Sequence, residues 1–180
     1  TDDAADVVGA HPEGTAFRFE NGTHTNVSIR PKRGQTFWGD PDGGVVLDGR
    51  GSTDQAFTSN KQIADVGVYY LELINYAPRD YHAVVNCYTQ SWNDEEWKPR
   101  LDWTIYGVDI HDMHGAPESS AVKMGSGCTL RQSRLHDLDG SGIRGTGRFL
   151  TVDGVEVAVY QPFIYDSHGR RNPFVPLIIQ

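Results

Sequence analysis

Two stretches of this chain can be written one above the other: "WTIYGVDIHDMHG" (103–115) and "CTLRQSRLHDLDG" (128–140). Ile105 falls on Leu130, Val108 on Ser133, Ile110 on Leu135, His111 on His136, Asp112 on Asp137 and Gly115 on Gly140, at a constant offset of 25 residues. The frame extends upstream to "VYYLELINY" (68–76), with Val68, Leu71, Leu73 and Asn75, and downstream to "VDGVEVAVY" (152–160), with Val152, Val155 and Val157. The units begin at 68, 105, 130 and 152, so the steps are 37, 25 and 22 residues. The long step contains "YTQSWNDEEWKPR" (88–100), which reads as an inserted loop. A short repeat constrains a chain strongly, because a single unit cannot bury its own apolar face and must stack on its neighbours.

A second strand-like run follows three of the units: "HAVVNCY" (82–88), "SAVKMGSG" (120–127) and "SGIRGTGR" (141–148). Each repeat is strand, polar turn, strand, Gly-rich turn, without helical spacing. The predicted fold is all-β: a single-stranded right-handed parallel β-helix of about six short coils, with neighbouring coils ~4.8 Å apart. The 20 glycines suit the many turns. The division predicted is a loose polar lead-in over 1–11, a β-helix domain over 12–160, and a C-terminal segment over 161–180 that leaves the repeat. Its apolar end, "FVPLIIQ" (174–180), needs burial. It would fold over the last coil as a cap, or dock on a second copy and make a homo-oligomer through the coil ends.

The stretch "LHDLDGSG" (135–142) has the spacing of a calcium loop, with Asp137, Asp139 and Ser141 at alternate positions and Gly142 behind them. A loop starting at Asp137 places Arg148 at its twelfth position, where a bidentate Glu should close the coordination shell. The repeat supplies the better explanation: Asn75, Asp112 and Asp137 share one repeat position at a strand end, where side chains can stack and bond turn backbone. The stretch is read as the corner of a coil.

The net charge of −8 argues against sequence-independent nucleic-acid binding, which needs a basic face. No apolar run has the length of a membrane span. The opening "TDDAAD" would suit a mature end left by cleavage of a leader. Cys87 and Cys128 could form one disulfide or remain two buried thiols. "NGT" at Asn21 and "NVS" at Asn26 match the glycosylation sequon, a short and weakly specific pattern.

The stretch "PEGTAFRFENGTHTNVSIRPKRGQTFWGDPDGGVVLDGRGS" (12–52) resembles the opening segment of the secreted right-handed parallel β-helix proteins, a group rich in pectate-lyase-like and other polysaccharide-active enzymes. "WTIYGVDIHD" and "CTLRQSRLHD" are similar to that group's generic coil. The resemblance covers about residues 12–160 and implies a secreted or cell-surface protein whose partner is a polysaccharide. It does not imply one activity, because one fold hosts many. The chain carries neither a polygalacturonase-like "GHG" nor a pectate-lyase-like "WIDH".

Within each unit the first, fourth and sixth residues are apolar or small and should point inward, leaving the second, fifth and seventh outside. The fifth position gives Glu72, Asp109, Arg134 and Glu156, the seventh Ile74, His111, His136 and Ala158, and the second Tyr69, Tyr106, Arg131 and Asp153. One exposed sheet is therefore expected to carry all three columns. A lyase acting on an acidic polysaccharide must neutralise a uronate carboxylate and remove a neighbouring proton. Arg134 is the candidate neutralising group and His111 or Tyr106 the candidate base, with Asp109 beside them. Glu72, Glu156, Arg131 and His136 would line the groove, and Trp92 and Trp97 of the inserted loop would offer sugar platforms. No motif demands a cofactor, although Ca2+ held by carboxylates could do the neutralising. His111 and His136 could bind a metal, but the alignment shows no third ligand. Two readings compete with catalysis: an ordinary cross-strand charge ladder on a solvent-facing sheet, and a structural subunit that assembles through its ends.

Overall fold

The computed structural model describes residues 3–59, 63–88, 100–145 and 149–158, together with the backbone of 163–165 and 171–173. The described chain forms three sheets in which every strand pairing is parallel. The first sheet holds Ala16–Arg18, Thr36–Trp38, Gly67–Tyr69, Thr104–Tyr106, Thr129–Arg131 and Thr151–Asp153, in that order. The second holds Gly22–Thr25, Val45–Asp48, Glu72–Ile74, Asp109–His111, Arg134–His136 and Glu156–Ala158. The third holds Phe57–Thr58, Ala83–Cys87, Ser120–Met124 and Ser141–Gly145. The chain visits the sheets in turn, adding one strand to a sheet at each coil, which is a parallel β-helix. Six strands in each of the first two sheets match the expected number of coils.

The unit read as one strand is in fact two. "VYYLELINY" divides into Gly67–Tyr69 on the first sheet and Glu72–Ile74 on the second. Inward positions spaced one, four and six already hold the reason: an unbroken strand alternates every second residue, so the three-residue gap marks a corner. The corner residue is left-handed in successive coils, with φ of 54° at Tyr70, 63° at Gly107, 48° at Gln132 and 60° at Gly154. A second left-handed corner follows the second sheet at Asn75, Asp112 and Asp137, with φ of 54°, 50° and 50°. Asn and Asp tolerate that region better than other non-glycine residues. "DLDGSG" is thus a coil corner, with Leu138 buried and bridged to Met113 of the preceding coil.

Stacked inward columns build the core: Val68, Ile105 and Leu130 from the first sheet, Leu47, Leu73, Ile110 and Leu135 from the second, Val85 and Val122 from the third. All are fully buried, and each contributes about 1.5–3 kcal/mol by leaving water. Two buried aromatics keep their polar ends satisfied. Trp103 Nε1 donates to the Ile63 carbonyl at 2.7 Å, and the Tyr76 hydroxyl donates to the Val27 carbonyl at 2.9 Å. Cys87 and Cys128 are buried free thiols, which decides against the disulfide.

The amino-terminal segment differs from the loose lead-in expected. Ala4–Ala10 is a helix, N-capped by Asp3, whose carboxylate accepts from Ala5 N at 2.9 Å. Its Val8 is buried in the core cluster, and Lys32 Nζ donates to the Gly9 and His11 carbonyls at 2.7 Å each. The capping Asp and one apolar side chain outweigh the polar composition. Beyond the coils, Phe163–Tyr165 and Arg171–Pro173 pair antiparallel, apart from the three sheets. Residues 174–180 lie outside the described residues.

Candidate functional site

The outward columns register as the repeat alignment set them. Asp109 pairs with Glu72 on one side and Arg134 on the other, and Arg134 pairs with Glu156. His111 lies opposite Ile74, and His136 opposite Ala158. Tyr106 lies between Tyr69 and Arg131, and Arg131 opposite Asp153. They do not share one sheet, however. The Tyr106 column belongs to the first sheet and the Asp109 and His111 columns to the second, because the Gly107 corner turns the chain between them. Tyr106 therefore does not join Arg134 and His111. It meets Tyr70 edge-on at 5.5 Å.

On the second sheet the charged groups engage one another. Arg134 lies 3.2 Å from Glu156 and 3.8 Å from Asp109, so its charge is already matched by two carboxylates. His111 Nε2 is 3.1 Å from Glu72 Oε1 and its Nδ1 2.9 Å from Asp112 Oδ2. His136 Nε2 is 3.1 Å from Asp109 Oδ1 and its Nδ1 2.7 Å from Asp137 Oδ2. The two imidazoles stack, with centroids 4.7 Å apart and planes 8° from parallel. Burial works to lower the His111 pKa, but hydrogen bonds to Asp112 and Glu72 and the Asp109 charge outweigh it and hold it above the ordinary histidine value. The corner carboxylates of Asp112 and Asp137 turn back onto the preceding histidines instead of forming the ladder expected of them. Asp109, His111 and His136 each offer one ligand atom, all within 4.8 Å of one another, so Asp109 is placed where a third metal ligand could stand, which the alignment did not reveal.

A groove that the alignment missed runs over the third sheet. Its volume is about 640 Å³. Its floor includes Thr58, Asn86 and Lys123, which pair strand to strand, with Arg30 one residue past the Ile29–Phe57 bridge. Asp54, Arg79 and His82 form one wall. Arg79 donates to Asp54 through Nε and Nη2 at 3.0 and 2.8 Å, and His82 Nδ1 meets Asp54 Oδ2 at 2.7 Å. Burial works to raise the Asp54 pKa, but Arg79 and His82 together hold it below the usual carboxylate value. Lys123 Nζ donates to the Tyr81 carbonyl at 2.8 Å and sits 4.8 Å from the centre of the Tyr88 ring. Burial lowers its pKa. Neither Arg30 nor Lys123 has a carboxylate partner among the described residues. Tyr81 is 62% exposed at the rim. These residues come mostly from turns, which vary between repeats, so no alignment of coils could have assembled them. The one available signal was Lys123, at an outward position of "SAVKMGSG".

The first sheet adds a further feature. Trp38 stacks on Tyr69 with centroids 3.9 Å apart, extending the Tyr69–Tyr106 column by one coil. Trp92 and Trp97 lie outside the described residues.

No protein-family profile matches the chain, and no curated protein matches its sequence. Among solved structures the chain is similar to a candidate glycosyl hydrolase from Parabacteroides merdae, at 12% identity and a TM-score of 0.37, over 86% of this chain and 87% of that one. So loose a superposition bears on neither activity nor substrate, and the parallel β-helix rests on the strand pairings themselves.

Proposed function

We propose that this protein is an extracellular binder of an acidic polysaccharide, and that the chain of sugars lies in the groove over the third sheet, along the coil axis. The observation that carries this reading is the pair of cations, Arg30 and Lys123, without a carboxylate partner among the described residues, in a polar groove of a chain whose net charge is −8. Among the described residues, three cations (Arg30, Arg79 and Lys123) face two carboxylates (Asp54 and Asp80) in the groove. On the second sheet, by contrast, Arg134 stands among Glu72, Asp109, Asp112, Asp137 and Glu156, a surface that repels a polyanion. Coils ~4.8 Å apart present Arg30, Thr58, Asn86 and Lys123 as a regular row of donors, which suits a polymer of repeating anionic units. Tyr81 and Tyr88 supply apolar faces for sugar rings. Elimination, where it accompanies binding, falls to His82: Asp54 holds its Nδ1, leaving Nε2 as the proton acceptor.

The test is affinity electrophoresis and calorimetry against polygalacturonate, alginate and neutral glucans, at low and high salt, with unsaturated product followed in parallel. Retention of an acidic polymer only, reduced about tenfold or more in Lys123→Ala and Arg30→Ala and weakened by salt, is expected. Equal retention of neutral and acidic polymers, or full binding by the Arg30→Ala/Lys123→Ala double variant, would overturn the assignment. Unsaturated product made by the parent and lost in His82→Ala would add lyase activity to the binding.

A further inference from the structure

The second sheet carries a different chemistry, independent of the groove. We propose that His111, His136 and Asp109 form a binding site for one divalent transition-metal ion of the Zn2+ class.

Three observations support it. The first is the donor set: two imidazoles and a carboxylate on adjacent coils, with ligand atoms all within 4.8 Å of one another. Strand pairing holds them there, since Asp109 and His111 share one strand and His136 stands on the next. The second is the state of the facing atoms. Asp109 Oδ1 and His136 Nε2 are both buried and have no hydrogen-bond partner among the described residues, yet they lie 3.1 Å apart. The contact is short but not aligned for a proton between them. Two ligands each ~2.1 Å from one ion subtend roughly 95° at that separation, an angle open to four- to six-coordinate metals. The third is what holds the rings. A neutral imidazole has a single N–H. The Nδ1 atoms of both histidines face carboxylates, Asp112 at 2.9 Å and Asp137 at 2.7 Å, and donating there leaves both Nε2 lone pairs to the site. A carboxylate behind the far nitrogen is the usual support of a metal-bound histidine, fixing its tautomer and orientation. At His136 that lone pair would otherwise face the unpartnered Asp109 Oδ1 at 3.1 Å, while at His111 the ion would take the place of the proton shared with Glu72 at 3.1 Å. A cation replaces the His136–Asp109 repulsion with coordination, and Glu72 is placed to join from the His111 side. Imidazole nitrogens favour Zn2+, Ni2+ or Co2+ over Ca2+, which takes six to eight oxygens.

The corner explains why the supported histidine occurs in both coils. A left-handed Asp after each of the two histidine-bearing strands, Asp112 and Asp137, directs its carboxylate back onto the histidine before it, so the two "HD" pairs of neighbouring coils build the supported ligands together.

The experiment uses the full chain, stripped with EDTA, dialysed and titrated with Zn2+ alone by calorimetry, with Co2+ absorption as an independent readout. One equivalent is expected to bind, with visible d–d bands for Co2+ and a rise in the thermal midpoint. His111→Ala and His136→Ala should each weaken binding about a hundredfold, and Asp112→Asn or Asp137→Asn about tenfold. His114→Ala, at a surface histidine 3.9 Å from Asp139, should change nothing. Asp109→Asn keeps the shape of the site and should still lose affinity, which separates ligand loss from misfolding. Absence of Zn2+ heat and Co2+ bands in the parent, or binding that persists in the His111→Ala/His136→Ala double variant, would overturn the proposal and leave the rings as an ordinary histidine–carboxylate cluster.

Discussion

Gly39→Ala tests the coil stacking on which both surfaces depend. Gly39 stands just past Thr36–Trp38, and its N–H donates to the Tyr69 carbonyl of the next coil at 2.8 Å. A Cβ added there would overlap the Tyr70 carbonyl oxygen and come within 2.8 Å of the Tyr70 carbonyl carbon and 2.9 Å of Leu71 Cδ2. The obstacle is backbone. That backbone is fixed by the ladder pairing Thr36 with Gly67, Phe37 with Val68 and Trp38 with Tyr69, so it cannot move without loosening those bonds. Overpacking usually costs about 1–3 kcal/mol, and an unyielding backbone puts this case near 3. With a urea m-value of about 2–3 kcal/mol/M, the unfolding midpoint should fall by roughly 1–1.5 M. Gly9→Ala is the contrasting variant: it lies in the amino-terminal helix with open space around it, and Ala should stabilise by about 0.5–1 kcal/mol. Urea titration followed by tryptophan fluorescence reads both. A Gly39→Ala protein within 0.5 kcal/mol of the parent at an unchanged m-value would refute the close contact.

Three further predictions follow from the charged and sulfur groups. Arg134→Ala removes two ion pairs whose partners are all at least one-third exposed, so it should cost less than about 1.5 kcal/mol in 0.1 M salt and less still in 1 M; a loss above about 3 kcal/mol in a denaturant titration would contradict this. Asp54 has a lowered folded-state pKa, so its contribution is complete above the ordinary carboxylate value of 3.8 and is lost as pH falls through the folded value. Thermal melts of Asp54→Asn should therefore lie below the parent at neutral pH and converge with it in acid, and parallel curves would refute the coupling to Arg79 and His82. Cys87 and Cys128 are both buried, and burial pushes the Cys87 thiol up, so a thiol reagent should label neither in the native protein and both in denaturant; rapid native labelling would show that the coils open.

Much of the architecture can be read from residues 103–140. An offset that aligns Ile110 with Leu135 and His111 with His136 predicts neighbouring strands, and Ile110 does pair with Leu135 in adjacent coils while the two histidine rings stack. Legibility has a physical source: parallel stacking places equivalent residues over one another, so periodicity in the chain becomes adjacency in space. The same argument failed where the period is broken. "GTHT" and "VVLD" also supply strands to the second sheet, but turns of unequal length hide them from the alignment. The helix at Ala4–Ala10 escaped because a seven-residue helix leaves little periodic signal, and its formation rests on the Asp3 cap and the burial of Val8.

The candidate sites divide along the same line. Columns of Glu72, Asp109, Arg134 and Glu156 could be written down from the chain, yet their partners could not. That Arg134 would be spent on Asp109 and Glu156, that Tyr106 would lie on a different sheet from His111, and that Asp109 would approach His136 depend on side-chain directions and on a left-handed corner at Gly107. The groove depends further on turns: Arg30, Asp54 and the Arg79–His82 turn are distant in sequence and meet only once coils of different length are stacked. By itself, then, the sequence determined the coil, its inward columns and the register of its outward ones, because those follow from local alternation repeated at intervals. Only the tertiary structure decided which charges neutralise each other and which stand open, because that turns on distances of a few ångströms between side chains that no periodicity encodes.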